Sequence, residues 1–282
     1  NFTAYEITRE DIATGDWEKK VPKDESGDYV LPAPWSVTPA WVADKYKRWG
    51  PNHPAYSARV EGEFPDQGEY SVIPLSWIEQ AQDRWLDMEP EANAPSVFGV
   101  DVARGGMDRS AIVHRTQNYV NWVKSYSGLD TQQLAGEIIQ EYRLHKPKQA
   151  NVDVIGLGAG VVDELKLHRE INVSAVNVSL PSAVIDDDGH KKFANLRAEF
   201  WWALREALDP KGDILLALPD DDELMTDLAA PMYDFSKGWI QIEPKELTKK
   251  RLGRSPDLGD ALMLSYAPVV EPTTTLSFVC AT

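Results

Sequence analysis

Four aspartates in this chain stand where a negative charge needs an explanation. Asp101 lies within Val97-Phe98-Gly99-Val100-Asp101-Val102, an apolar run whose two-residue period would bury at least one face of a strand. Asp153 repeats the feature within Val152-Asp153-Val154-Ile155. Asp257 and Asp260 fall in Ser255-Pro256-Asp257-Leu258-Gly259-Asp260-Ala261-Leu262. There Ser255 suits a helix cap and Pro256 the first turn, so the two carboxylates share nearly one helix face. Asp257 also falls near the positive end of that helix dipole. An isolated buried carboxylate costs several kcal/mol and therefore finds a cation, a donor network or a metal.

Gathering such groups without a cation would be repulsive, so a cluster of them implies a bound divalent metal. All-oxygen ligation selects Mg²⁺ or Mn²⁺ over softer ions. Two such ions, roughly 3.5–4 Å apart, suit the in-line displacement of a phosphodiester, one activating water and the other stabilising the leaving oxygen. Phosphodiester hydrolysis is the chemistry this donor set fits. A net charge of -16 counts against a protein that coats nucleic acid, because affinity for DNA comes largely from Lys and Arg neutralising phosphates. The placement of the basic residues matters more than their sum. Lys245, Lys249, Lys250, Arg251 and Arg254 fall within ten positions just before the aspartate pair, which argues for local contact with a DNA backbone. Asp108 follows Gly105-Gly106 in a turn close to Asp101, where an aspartate is common for turn geometry alone.

The elements that must position these residues begin at Ser96. Ser96 to Ala103, Ser110 to Arg115 and Tyr119 to Tyr126 are short runs rich in Val, Ile, Tyr and Trp, separated by turn signals, and predict three antiparallel strands. Leu134, Ile138, Ile139 and Tyr142 recur at helical spacing before Pro147, which predicts a helix over 131–145. A strand over 150–155, a helix near 161–168, a strand over 171–178 and an amphipathic helix over 193–208 follow. An acidic helix over 221–229, a hairpin across Ser236-Lys237-Gly238 and a last helix over 256–267 complete the pattern. Antiparallel strands followed by alternating helices and strands describe a mixed α/β sheet flanked by helices, in the order of the RNase H-like fold.

Residues 1–95 read differently. They hold six of the ten tryptophans, at positions 17, 35, 41, 49, 77 and 85, with many prolines, and predict an irregular attachment with short helices such as 38–49, capped by Thr38 with Pro39 in the first turn. The expected division is an attachment over 1–95, a catalytic domain over 96–270 and a tail over 271–282. With 43% hydrophobic residues, the chain can bury a sizeable core. No apolar run approaches the ~20 residues that span a bilayer, and the N-terminus lacks a signal-peptide pattern. A lone Cys280 forms no internal disulfide and suits a reducing cytosol. The start at Asn1 without methionine reads as a fragment.

Other signals are weaker. Gly156-Leu157-Gly158-Ala159-Gly160 departs from the dinucleotide fingerprint and reads as a turn or a close approach beside the site. Histidines 53, 114, 145, 168 and 190 lack zinc-ligand spacing. Trp201-Trp202 reads as core rather than as a base-stacking platform.

In combination and in order, Gly99-Val100-Asp101-Val102-Ala103-Arg104-Gly105-Gly106, the Val152 to Gly160 segment, Asn195-Leu196-Arg197-Ala198-Glu199 and the Ser255 to Leu262 segment resemble the nuclease domain of phage terminase large subunits. Val37 to Trp41 and Ala58 to Pro65 resemble the segment that joins that family's motor to its nuclease. The resemblance implies an RNase H-like metal-dependent endonuclease that cuts concatemeric viral DNA during packaging in the host cytoplasm. Asp101 and Asp153 would be metal ligands, completed by Asp257, Asp260 or both. The implied partners are double-stranded DNA and, for the full-length protein, the terminase small subunit and the portal protein. No Gly-x-x-x-x-Gly-Lys-Ser/Thr loop occurs, so an ATP motor would lie outside this chain. A junction resolvase or integrase, and a non-catalytic docking module, are the alternatives.

Overall fold

The computed structural model describes residues 7–30, 38–49, 60, 71–103, 108–186, 189–234 and 237–270. Outside these lie Trp35, the turn Arg104-Gly105-Gly106-Met107, Ser236 of the expected hairpin, most of the 58–65 stretch, and the tail with Cys280. Among the described residues no helix is long and apolar enough to cross a membrane.

The chain opens with helix α1 (Arg9–Thr14), where Thr8 and Asp11 form a reciprocal capping box. Helices α2 (Trp17–Lys20) and α3 (Pro39–Trp49) follow. As expected, the Thr38 hydroxyl caps α3, accepting the Trp41 N–H at 3.0 Å. Ile7, Ile12, Trp17, Val21 and Val42 make a small core of their own. Lys45 ties α3 to Asp222 at 2.5 Å. Helix α4 (Leu75–Asp87) departs from the irregular reading of this region: Leu75, Ile78 and Ala81 recur at helical spacing and are buried in the main core. Trp77 and Trp85 within it, and Pro74 and Pro90 on either side, hide that period in the sequence.

The sheet is built from β1 (Ser96–Asp101), β2 (Ser110–Thr116), β3 (Tyr119–Tyr126), β4 (Gln149–Asp153) and β5 (Val173–Val176) in the order β3-β2-β1-β4-β5. β1, β2 and β3 are antiparallel neighbours, and β4 and β5 run parallel to β1. Between β3 and β4 lies α5 (Thr131–His145), closed at its start by an Asp130–Gln133 capping box. α6 (Gly158–Lys166) joins β4 to β5, so the 156–160 segment is the turn into that helix. The remaining elements are α7 (Leu196–Leu208), α8 (Asp222–Ala229), the short pair β6 (Tyr233–Asp234) and β7 (Gln241–Ile242), α9 (Lys245–Leu252) and α10 (Asp257–Leu264). β6 and β7 pair antiparallel, as a hairpin requires.

Helices cover both faces of the sheet, which is why every residue of β1 is buried. Phe98, Val100, Val102, Ala150 and Val152 pack with α5 and α6 residues on one face. Strand alternation then turns Gly99, Asp101, Asn151 and Asp153 to the other face, where α10 lies. The Asn151 amide donates to the Leu264 and Ala267 carbonyls at 3.1 and 3.3 Å. α10 sits directly on β1 because Gly99 has no side chain: a Cβ there would stand 1.9 Å from the Ala261 carbonyl oxygen.

On the α5 face, His114 is 6% exposed, with neither ring nitrogen hydrogen-bonded. It packs against Phe98, Trp122 and His145. Burial, reinforced by the neighbouring His145, pushes it down to about 4. The unfolded chain therefore binds a proton at His114 that the folded chain refuses between its ordinary 6.5 and about 4. Stability falls as pH falls through that window, by at most about 1.4 kcal/mol per pH unit. Urea titrations at several pH values should show this slope in the wild type and a flatter one in His114→Phe. Equal slopes would remove His114 as its source.

Candidate metal centre

The sheet register brings the first two carboxylates together. Val100 of β1 pairs with Val152 of β4, so Asp101 and Asp153 come next on adjacent parallel strands, at their C-terminal ends, where ligand sites of such sheets form. α10 delivers Asp257 and Asp260 to the same place from above β1. All four line one cleft of about 490 Å³, together with Asp108, Arg197, Glu243, Lys245 and Lys249. Asp101, Asp257 and Asp260 are nearly fully buried. The Asp153 carboxylate accepts the Ile155 N–H at 3.0 Å, a turn that closes the end of β4.

Lys245, at the start of α9, points into this group. Its Nζ stands 2.9 Å from Asp260 Oδ2, 3.0 Å from Asp101 Oδ2 and 3.8 Å from Asp257 Oδ1. The sequence suggested a phosphate contact for this lysine, and it gave no sign of a helix here. The segment is charged on most sides, and Thr248 is its one buried residue. Burial, together with Asp260 and Asp257, pushes Asp101 up to about 7 against the pull of Lys245. Burial also acts to raise Asp260, yet Lys245 and Arg197 outweigh it and hold that carboxyl below its ordinary value. Burial alone would lower Lys245, but Asp101 and Asp260 drive it well above the ordinary lysine value.

Three of the other four basic residues of this stretch are also engaged. Lys249 pairs with Asp108 at 2.6 Å, Arg251 with Glu243, and Arg254 with Asp227 at 2.6 Å. Lys250 is exposed. Arg197, which sequence reasoning left without a role, donates to the Glu243 carbonyl at 2.6 Å and lies 3.6 Å from Asp260. Trp201 is core, as expected, with no exposed surface.

Among the described residues no three His, Cys, Asp or Glu side chains are already drawn close enough to grip a metal ion. Two observations nevertheless fit this donor set to a divalent cation. The ammonium of Lys245 is a cation held by three of the four carboxylates. Asp260 keeps its charge in this buried place only because Lys245, 2.9 Å from its Oδ2, and Arg197 supply positive charge there, a role that a metal ion can take over. The all-oxygen character suits Mg²⁺ or Mn²⁺.

No family model matches the chain, and no curated protein matches it significantly. Solved structures do. The nuclease domain of the large terminase subunit gp2 of bacterial virus Sf6 aligns with a TM-score of 0.62 at 20% identity, covering 70% of this chain and 99% of that one. A mutant form of that domain with manganese and beta-thujaplicinol aligns with a TM-score of 0.61, at the same identity and coverage. A mutant gp2c of the bacteriophage Sf6 large terminase subunit with calcium gives 0.60, again at 20% identity with 70% and 99% covered. With its mixed five-stranded sheet clothed by helices, this chain has the RNase H-like fold of a large-terminase nuclease domain.

Proposed function

We propose that this chain is a divalent-metal-dependent endonuclease that cuts concatemeric viral DNA during genome packaging, in the cytoplasm of a bacterial host. The observation that carries the proposal is the convergence of Asp101, Asp257 and Asp260 on one cationic group in a cleft that Asp153 also lines. The fold shared with terminase nuclease domains supports it, as do the manganese and calcium named with the Sf6 structures. Asp101, Asp153, Asp257 and Asp260 would hold the metal, and a two-ion arrangement suits four carboxylates. Bound there, Mg²⁺ or Mn²⁺ would supply an activated water and neutralise charge on the departing oxygen.

The chain's own residues then divide the work. Lys245 neutralises the carboxylates until the cation arrives, which lets the fold tolerate three buried acids in one cleft. Arg197, 3.6 Å from Asp260, helps Lys245 keep that carboxylate ionised. At the rim, the Lys249–Asp108 pair is partly exposed, and such pairs contribute only about 0–1 kcal/mol, so a DNA phosphate can displace Asp108 from Lys249 at little cost. Lys250 adds a second phosphate contact, whereas Lys245, Arg251 and Arg254 serve mainly to neutralise acids. So few contacts, on a chain of charge -16, place DNA binding in the weak non-specific range of roughly 10⁻⁴–10⁻⁶ M. A motor that already holds the DNA would make engagement effectively intramolecular. The small subunit and the portal protein are the further partners this reading implies.

Incubation of supercoiled plasmid with the chain tests the reading. Nicked and linear products are expected with Mn²⁺ or Mg²⁺ and none with chelator, without sequence preference. Intact plasmid at high protein concentration with either metal would defeat it. Preference for branched over linear DNA would redirect it to a junction resolvase.

A further inference from the structure

The helix that carries two of the four carboxylates has no cap of its own. Pro256 precedes α10 and offers no side-chain acceptor, although the first-turn N–H groups of any helix need partners. The partner comes from another helix. Asp227 of α8, fully buried, accepts the backbone N–H groups of Leu258 at 2.9 Å and Gly259 at 3.2 Å through Oδ2. The fit depends on Gly259: a Cβ there would lie 3.0 Å from the Cβ of Asp227.

The other oxygen of Asp227 starts a chain of ion pairs that returns to the same helix. Its Oδ1 is 2.6 Å from the Arg254 guanidinium, which lies 3.3 Å from Glu223. Glu223 accepts from Arg109 at 3.2 Å, and the Arg109 backbone N–H donates to Asp257 Oδ2 at 3.2 Å. Asp257 is thus held from two sides, by the capped start of its helix and by the strand-entry residue Arg109. Burial pushes Asp227 up to about 7 against the pull of Arg254, so ionising it carries a cost to folding that the Arg254 pair offsets only in part.

We propose that Asp227 is a positioning residue for the metal centre, capping the helix that bears Asp257 and Asp260 and closing, through Arg254, Glu223 and Arg109, a circuit that fixes the Asp257 carboxylate. The proposal rests on the cleft being a metal centre. It assigns Asp227 no contact with metal or DNA. Groups that orient metal ligands in this way typically change metal affinity or activity 10–100-fold when removed, by roughly that factor in other proteins.

The test is Mn²⁺ binding to the folded chain, measured by calorimetric titration well below the unfolding temperature, with thermal unfolding and DNA-cutting kinetics alongside. Asp227→Asn keeps the shape and an acceptor oxygen but loses the charge. Its Mn²⁺ dissociation constant should rise about 10–100-fold, with kcat reduced and KM for DNA unchanged. Glu223→Gln opens the circuit without touching the cap and should give a smaller loss of the same kind. Wild-type Mn²⁺ affinity in folded Asp227→Asn, with only the unfolding temperature lowered, would overturn the proposal. Should that variant not fold, wild-type affinity in Glu223→Gln would overturn it equally. Failure of the wild-type chain itself to bind Mn²⁺ would instead overturn the metal-centre reading, and the proposal with it.

Discussion

Asp101→Asn and Asp153→Asn are each expected to cut DNA at least about a hundredfold more slowly than the wild type while remaining folded. Each carboxylate supplies a negative oxygen at the C-terminal end of a central strand, and losing one removes part of a charge-stabilising effect worth several kcal/mol, at about 1.4 kcal/mol per tenfold in rate. Stability moves the other way at Asp101. Its folded value is raised from 3.8 to about 7, so the folded chain binds the proton more tightly than the unfolded chain between those values. Stability therefore falls as pH rises through that window, and the uncharged Asn escapes the loss. At neutral pH and without metal, Asp101→Asn should unfold at or above the wild-type temperature. Near-wild-type cutting by either variant, in a plasmid assay with Mn²⁺, would remove that residue from the centre.

Lys245→Met should produce the opposite pair of effects. It removes the cation that Asp101, Asp257 and Asp260 share and leaves three buried carboxylates without it. Breaking a buried ion pair by deleting one partner costs 3–5 kcal/mol in general; with 34% of the Lys245 side chain exposed, about 3 kcal/mol is expected. Mn²⁺ should reverse most of that loss, since a ligand at a hundred times its dissociation constant stabilises by about 2.7 kcal/mol. Its affinity should also exceed wild type, because no ammonium has to be displaced. The folded Lys245 value lies well above 10.5, so its stabilisation is fully present below 10.5 and lost only as pH rises through the raised value. The difference between variant and wild type should therefore carry no Lys245 titration between pH 6 and 9. Thermal unfolding with and without Mn²⁺ checks this, and a metal-insensitive variant of wild-type stability would count against the shared role of the lysine.

The strands were legible because each alternates or runs apolar between turn residues. β3 and α5 fall at 119–126 and 131–145 as their patterns predict. β4 ends at Asp153 although Val154 and Ile155 continue its apolar run, and β5 occupies only 173–176 of the run over 171–178. Two of the four cleft aspartates could be picked out because an acid inside an apolar strand conflicts with burial. Asp227 carried no such conflict. In an acidic amphipathic helix it reads as one more surface charge, and only the arrival of α10 beside it reveals its burial. The pairing of Lys245 was hidden for a related reason: a run of lysines reads as a phosphate-facing surface, while the contacts that turn one of them inward come from residues 144 and 15 positions away. α9 was missed because it lacks an apolar stripe, and α4 because its period is buried among tryptophans and prolines.

The most direct test of the central claim is anomalous diffraction from crystals of the wild-type chain soaked in excess Mn²⁺. The account predicts manganese density in the cleft, bounded by Asp101, Asp153 and at least one of Asp257 and Asp260, with the Lys245 ammonium moved away from Asp101 and Asp260. An empty cleft in which Lys245 still bridges those two aspartates would contradict it.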